Sequence, residues 1–376
     1  MMYKGLIIVG PHGTYIRTRV KTLIVKSRKL NSIINQKLLL IENKLGLGII
    51  ILGHPKKITL SQFDKLRKFH RITEKERIDW WPSYQFLYAY PIINKKFFKI
   101  PLLLDYPTGP QITVSSDNII VKKVLVGMSG YHYKYMYPKV KNLLEYYSQH
   151  FNTVEINNTF YRLPTESLVN NLTKYDLWYS IKVSQFITHS KKLKDVKKYW
   201  NQFYKPLKDM NRLICFLFQF SSRFYFNDEN FNRIKKLPSF LDPKHYYAFE
   251  FRDKSWFNND RIDKLFKENK WIQAISNVNN SDMWIGNLDD GFNPRLNKYV
   301  LTSDALYIRM HGPKGKYIGS YKSEIFKDIF EFVRSKPIKY AFIYFNNTDN
   351  NRDAFEDSLK LNAKFNYLNT KMELKT

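Results

Sequence analysis

A single cysteine, Cys215, sits in the apolar run "LICFLFQF". One thiol cannot build a disulfide framework or a cysteine metal cluster, and a reducing, intracellular, cytoplasmic setting is the expectation. No apolar run approaches the roughly 18 residues that span a bilayer. The opening "MMYKGLIIVGPHG" holds an apolar stretch too short for a signal core and has no small-residue cleavage site, so no membrane association is expected. Acidic residues are also scarce, 33 Asp and Glu against 62 Lys and Arg, for a formal charge of +29. Such an excess suits a polyanionic partner, RNA or DNA, because clustered cations displace counterions from phosphates. The same excess follows from an A/T-rich coding sequence that favours Lys, Asn, Ile, Tyr and Phe.

Hydrophobic residues make up 44% of the chain and aromatic residues 16%. That composition supports a packed globular core and argues against disorder. At 376 residues the chain exceeds a typical single domain, so more than one is expected. Residues 1–121 carry 20 Lys and Arg against 7 Asp and Glu, a higher net positive density than the remainder. Their short apolar runs, "GLIIVG", "KTLIVKS", "KLLLIEN" and "LGIIILG", read as strands of a small β-rich module, with a helix at "LSQFDKLRKFHRI". If this module binds nucleic acid, Lys21, Lys26, Arg28, Lys29, Lys65, Arg67, Lys68 and Arg71 are its expected contacts. The turn-rich "DYPTGPQITVSSDN" places the boundary at residue 121.

From Lys122 to residue 376 strand and helix alternate. Eight segments read as strands: "KVLVGMSG", "NTVEINNTF", "LWYSIKVS", "LICFLFQF", "YYAFEFR", "WIQAISN", "ALYIRMHG" and "KYAFIYFNN". Amphipathic segments separate them. Eight β-then-α units in about 250 residues are the count and length of a TIM (β/α)8 barrel; a doubly wound open sheet is the competing architecture. In such barrels catalytic groups sit at the C-terminal strand ends. Those ends hold Ser129, Glu155, Asn157, Thr159, Lys182, Gln219, Glu250, Arg252, Ser276, Asn277, Arg309, His311, Asn346 and Asn347, while the strand bodies are apolar.

Glu155 and Glu250 suit an acid/base pair if their surroundings push their pKa values apart. His189 and His311 could join them as ligands of one divalent ion, since imidazole with carboxylate suits zinc, manganese or iron. Arg252 and Arg309 offer planar forks for phosphate or carboxylate. No HExxH, paired-cysteine or Walker motif narrows these choices, and the cofactor stays open.

The segments "VGMSGYHY…YP", "YYSQHFNTVEINNTFYRLP", "FITHSKKL", "LFQF", "FEFRDKSWF", "YIRMHG" and "YFNN" together resemble the DUF72 (YecE-like) family over about residues 122–368. The resemblance implies a TIM barrel and supplies no reaction. The matching positions are Ser129, Glu155, Asn157, Thr159, Tyr161, Thr188, His189, Glu250, Arg252, Trp256, Arg309, His311, Gly312, Asn346 and Asn347. Two departures are visible: "LFQFSSR" lacks the two prolines usual after this strand, and Tyr135 or Tyr137 stands where a tryptophan is common. Residues 1–121 lie outside the resemblance and have a PUA-like flavour.

Three functions are compatible with this pattern. In the first, an enzyme takes a phosphorylated or sugar-containing substrate, free or within a nucleic acid, at the barrel mouth. Glu155, Glu250 and His311 then carry hydrolytic (phosphoesterase-like) or isomerase proton transfer, while Ser129, Asn157, Thr159, Tyr161, His189, Arg252, Trp256, Arg309, Asn346 and Asn347 bind the substrate. The second is a non-catalytic RNA- or DNA-binding protein, and the third an assembly role with purely compositional charge. Arg309→Ala is expected to abolish anion binding and leave the fold intact.

Overall fold

The computed structural model describes residues 3–107, 109, 112–277, 299–314, 317–348 and 351–367. They form a mixed α/β structure in two compact units, one built on the chain up to Lys122 and the other running Lys123–Lys364.

The first unit carries an eight-stranded sheet: β1 (Lys4–Ile7), β2 (Leu23–Lys26), β3 (Lys37–Glu42), β4 (Leu45–Leu52), β5 (Lys56–Thr59), β6 (Phe86–Asp105), β7 (Thr113–Val114) and β8 (Ile120–Val121). Its main path runs β2-β6-β4-β3-β1-β7, with β5 and β8 also paired to the long β6. Only β1 and β3 pair in parallel; the other ladders are antiparallel. Leu6, Leu38, Leu40, Leu47, Ile50 and Tyr90 form a core on one sheet face. The short helices Leu60–Lys65 and Glu74–Trp80 both start from capping boxes, Thr59 with Gln62 and Thr73 with Glu76. Each box satisfies two backbone donors that a helix start otherwise leaves open.

In the second unit every strand pairing is parallel. One sheet has the order β10 (Thr153–Ile156), β11 (Trp178–Lys182), β12 (Leu213–Gln219), β13 (Tyr246–Glu250), β14 (Ile272–Gln273). The other has the order β15 (Ile275–Asn277), β16 (Ala305–Met310), β17 (Tyr340–Phe345), β9 (Lys123–Met128). Each of the eight apolar segments read from the sequence contains one of these strands, and "WIQAISN" contains two, β14 and β15, separated by Ala274 alone. A parallel bridge between Ser129 and Glu155 links the end of β9 to β10. Gly127 makes that approach feasible, since a Cβ there would lie 2.3 Å from the Thr153 carbonyl oxygen.

Side chains two apart share a strand face, and residues of β9, β12, β13, β16 and β17 contribute to a common interior of Leu125, Cys215, Leu217, Ala248, Tyr307, Phe342 and Tyr344. The burial of the opposite faces follows from the flanking helices: Lys197–Tyr204 buries Trp200 and Phe203, and Ser323–Ser335 buries Phe326, Ile329, Phe330 and Val333. Among the described residues no helix is long and apolar enough to cross a membrane.

Candidate active site

Continuing the interior columns toward the strand ends replaces apolar side chains with charged ones. Thr153 is followed by Glu155 on β10, Ser180 by Lys182 on β11, Ala248 by Glu250 on β13, and Tyr307 by Arg309 on β16. Period-two geometry thus delivers two carboxylates, a guanidinium and an amine to one end of the interior.

Arg309 is the hub, with 1% of its side chain exposed. Its Nε and Nη2 donate to the two Glu155 oxygens at 3.0 and 2.7 Å, a bidentate fork, while Nη1 donates to Glu250. Tyr307 donates its hydroxyl to Glu155 at 2.6 Å and lies 2.7 Å from the Ser180 hydroxyl. Arg252 completes Glu250 from the other side, with Nε at 3.1 Å and Nη2 at 3.0 Å from Oε1. Burial alone would raise both carboxyls. Arg309 more than offsets this, so Glu155 is held below the usual carboxylate range and Glu250, with Arg252 and His311 added, well below it. Both are ionised at neutral pH, and the carboxylates are not split into an acid and a base. That corrects the expected Glu155–Glu250 proton-transfer pair: one arginine shared by two carboxylates moves both in the same direction.

His311 is buried next to this network, its Nε2 3.4 Å from Arg309 Nη1 and 3.7 Å from Glu250 Oε1. Burial and Arg309 push it down to about 4, so it is neutral. The Asn346 amide nitrogen lies 3.1 Å from Nδ1. His189 is also neutral, lowered to about 4 by burial and by Lys182. Its ring stands edge-on to Phe160 at 5.1 Å, and Nδ1 is 3.0 Å from the Thr188 hydroxyl.

Lys182 is one of the strand-end residues expected from the sequence. The structure makes it the least satisfied group of the cluster. Its ammonium nitrogen lies 4.1 Å over the Phe160 ring, and no hydrogen bond or ion pair holds it among the described residues. Burial, then Arg309, lowers it to about 7 despite the opposing pull of Glu250 and Glu155. A further polar atom at this end is buried without a hydrogen bond, Asn157 Oδ1, while the Ser129 hydroxyl lies beside Glu155 and helps to hold that carboxyl down. The signal available in the sequence was the Ser180–Lys182 alternation, which puts a lysine on the interior face.

Other expected binding residues lie elsewhere. Trp256 is fully buried, stacked on Phe251 at 4.4 Å, with its indole N–H donating to the Phe224 carbonyl at 2.6 Å. It packs against Phe224, Phe226 and Phe251. The Thr159 hydroxyl donates to the Lys182 carbonyl at 2.7 Å, tying the loop after β10 to β11. Tyr161 is 71% exposed and makes no contact with the network. Asn347 points inward, donating to the Gly319 carbonyl at 2.8 Å and to the buried Asp357 carboxylate at 2.9 Å. Asn347→Ala is therefore expected to cost about 1–3 kcal/mol by leaving those buried acceptors short of a donor, seen as a lower urea midpoint with unchanged ligand affinity.

Among the described residues no three His, Cys, Asp or Glu side chains gather as metal ligands. Glu155 and Glu250 spend their oxygens on arginine, so the four-residue divalent site considered from the sequence does not form.

In the first unit the eight expected nucleic-acid contacts divide. Lys21 is buried: its Nζ donates to the His70 carbonyl and lies 3.1 Å from His12 Nδ1, and His12 is backed by Glu76 at 3.1 Å. Burial lowers Lys21 to about 7 and the half-buried Lys26 to about 8. Lys21 is thus an internal group rather than a surface contact. Arg67 is committed to Asp64 and Glu74 at 2.5 and 3.1 Å. Arg28, Lys29, Lys65, Lys68 and Arg71 are exposed and pair with no carboxylate among the described residues.

The second unit is thus a parallel α/β fold that gathers a buried, charge-compensated cluster at the C-terminal ends of its strands. The chain belongs to the family described as "Protein of unknown function DUF72", whose model matches residues 125–376. It is similar to the crystal structure of a DUF72 family protein from Thermotoga maritima, with 23% identity over 64% of this chain and 98% of that one and a TM-score of 0.53. A DUF72 family protein from Enterococcus faecalis aligns with 20% identity over 65% and 96% of the two chains, TM-score 0.54. At these identities the likeness establishes the fold alone. No curated protein sequence matches the chain.

Proposed function

We propose that the second unit closes as one (β/α)8 barrel whose mouth is an active site for a small anionic substrate, phosphorylated or sugar-containing. Closure is supported by the Ser129–Glu155 bridge, by the single residue between β14 and β15, and by the interior that both sheets share. The observation that carries the function is the charge balance. Glu155 and Glu250 are neutralised by Arg309 and Arg252, which leaves Lys182 as a cation without a counter-ion. A partly desolvated ammonium with no acceptor is costly, and an incoming anion supplies one. The orphaned Asn157 oxygen offers a further contact for a hydroxyl group.

Titration calorimetry with inorganic phosphate and with ribose 5-phosphate tests this reading. Saturable binding at millimolar concentration or tighter is expected, weakened at least tenfold, about 1.4 kcal/mol, by Lys182→Gln or Arg252→Gln. Because Lys182 makes no hydrogen bond, Lys182→Gln should leave the melting temperature of the unliganded protein within a few degrees. Absence of binding, or binding indifferent to both substitutions, contradicts the proposal.

A second reading concerns the first unit, where the exposed Arg28, Lys29, Lys65, Lys68 and Arg71, paired with no carboxylate among the described residues, support contact with RNA or DNA. On this reading, single-stranded oligonucleotide affinity falls steeply with salt, and each Lys→Ala or Arg→Ala change at these five positions reduces the salt slope by about one. Salt-independent binding is the outcome that rejects it.

A further inference from the structure

We propose that Lys182 is the nucleophile of the site and condenses through its amine with the carbonyl group of an anionic substrate, a 2-oxo acid or an open-chain sugar phosphate. The inference rests on the anion-binding reading above and deepens it by naming the bond that forms.

The geometry begins with placement. Lys182 ends β11 on the interior face, two residues beyond Ser180, and is only partly exposed. The second element is what surrounds it. Lys182 lies in the electrostatic field of Arg309, Arg252, Glu155 and Glu250, yet both carboxylates are committed to arginine. The bidentate guanidinium fork takes the acceptors that a lysine would otherwise use. An ammonium has three donors and needs acceptors, and here Nζ meets the face of Phe160 instead. The neutral amine is therefore present in quantity at neutral pH, and the lone pair is available for attack. The third element is recognition: Arg252 uses Nε and Nη2 on Glu250, while its Nη1 has no partner among the described residues, and its side chain is about a quarter exposed. Arg252 is among the charges that act on Lys182, so a phosphate or carboxylate held at Nη1 is the proposed anchor for the substrate.

The step balances without an oxidant or reductant. The nitrogen lone pair forms the C–N bond as the carbonyl π pair moves onto oxygen. Transfer of one proton from nitrogen to that oxygen gives the neutral carbinolamine. The nitrogen lone pair then expels the hydroxyl group, which takes up one solvent proton and departs as water, leaving the iminium on Lys182. His189 is neutral and does not compete as a cation, and the protons exchange with solvent. Glu155 and Glu250 stay ionised and favour the iminium charge.

Reductive trapping tests the proposal on the full chain. The protein is incubated at neutral pH with sodium cyanoborohydride and one of three probes: glyoxylate, glyceraldehyde 3-phosphate, or uncharged propanal. Peptide mass spectrometry then reads the adduct at every lysine. With its amine near pH 7 rather than 10.5, Lys182 should be labelled at least about a hundredfold faster than an exposed lysine. The two anionic probes should surpass propanal, and Arg252→Gln should remove that advantage. Lys182→Arg should abolish the fast label and retain the native circular dichroism spectrum. Equal labelling of Lys182 by all three probes overturns the anionic substrate class. No preference for Lys182, while phosphate still binds by calorimetry, overturns the nucleophile and leaves the anion site standing. Failure of labelling and of phosphate binding together removes both.

Discussion

Arg309→Ala is expected to destabilise the unit running Lys123–Lys364 by about 3–5 kcal/mol, because it leaves the fully buried Glu155 without a cation and Glu250 with Arg252 alone. Glu155 and Glu250 have no exposed side-chain surface and share this one guanidinium. The direction is opposite to the sequence-based expectation that Arg309 is a mouth residue contributing little to the fold. For a unit of this size such a loss lowers the melting temperature by roughly 10 °C or more. Arg309→Lys should recover part of it, since a point charge can serve one carboxylate but cannot reproduce the fork. The triple change Arg309→Met, Glu155→Gln, Glu250→Gln should recover more, because no buried carboxylate is left unpaired and the released Arg252 is partly exposed. Urea midpoints for the three variants decide the matter. A wild-type midpoint for Arg309→Ala means that the network carries no stability.

The second large effect is on acid stability. His70 in the first unit and His311 in the second are fully buried, and each is lowered by burial from 6.5 to about 4. Between those values the unfolded chain holds the proton and the folded chain does not, so stability rises with pH across this window and is lost as pH falls from 6.5 toward 4. Each contributes about 3 kcal/mol at the lower limit. Lys21 and Lys182, lowered to about 7, and Lys26, lowered to about 8, have the same sign at higher pH. Their folded forms shed a proton that the unfolded chain keeps up to about 10.5, so stability climbs again above neutrality. Urea midpoints from pH 4 to pH 9 should therefore rise in two stages. His70→Gln and His311→Gln should each flatten the acid stage, and a bell centred near pH 6 is the contrary result.

These two expectations come from side chains that the sequence showed but could not connect. Strand-like β-branched and aromatic runs, regularly interrupted by amphipathic segments, were sufficient for the parallel α/β layout, because period-two and period-3.6 patterns are local. The same alternation put Glu155, Lys182, Glu250 and Arg309 at strand ends. The family resemblance marked Trp256, and strand-end position with the resemblance marked Asn347, as binding residues, yet one is stacked among Phe224 and Phe251 and the other is bonded to Gly319 and Asp357. Lys21, read as surface charge, is drawn inward by His12 and the His70 carbonyl.

What the sequence determined by itself was therefore which residues reach the end of the interior. Only the tertiary structure decided which of them pair, since Arg309 lies 154 residues from Glu155 and 59 from Glu250. No local pattern encodes a competition between cations for shared acceptors. The guanidinium prevails because its planar fork satisfies both oxygens of one carboxylate while a further nitrogen reaches the second. The amine of Lys182, a single point donor, is left without a counter-ion at the site where an anionic substrate would enter.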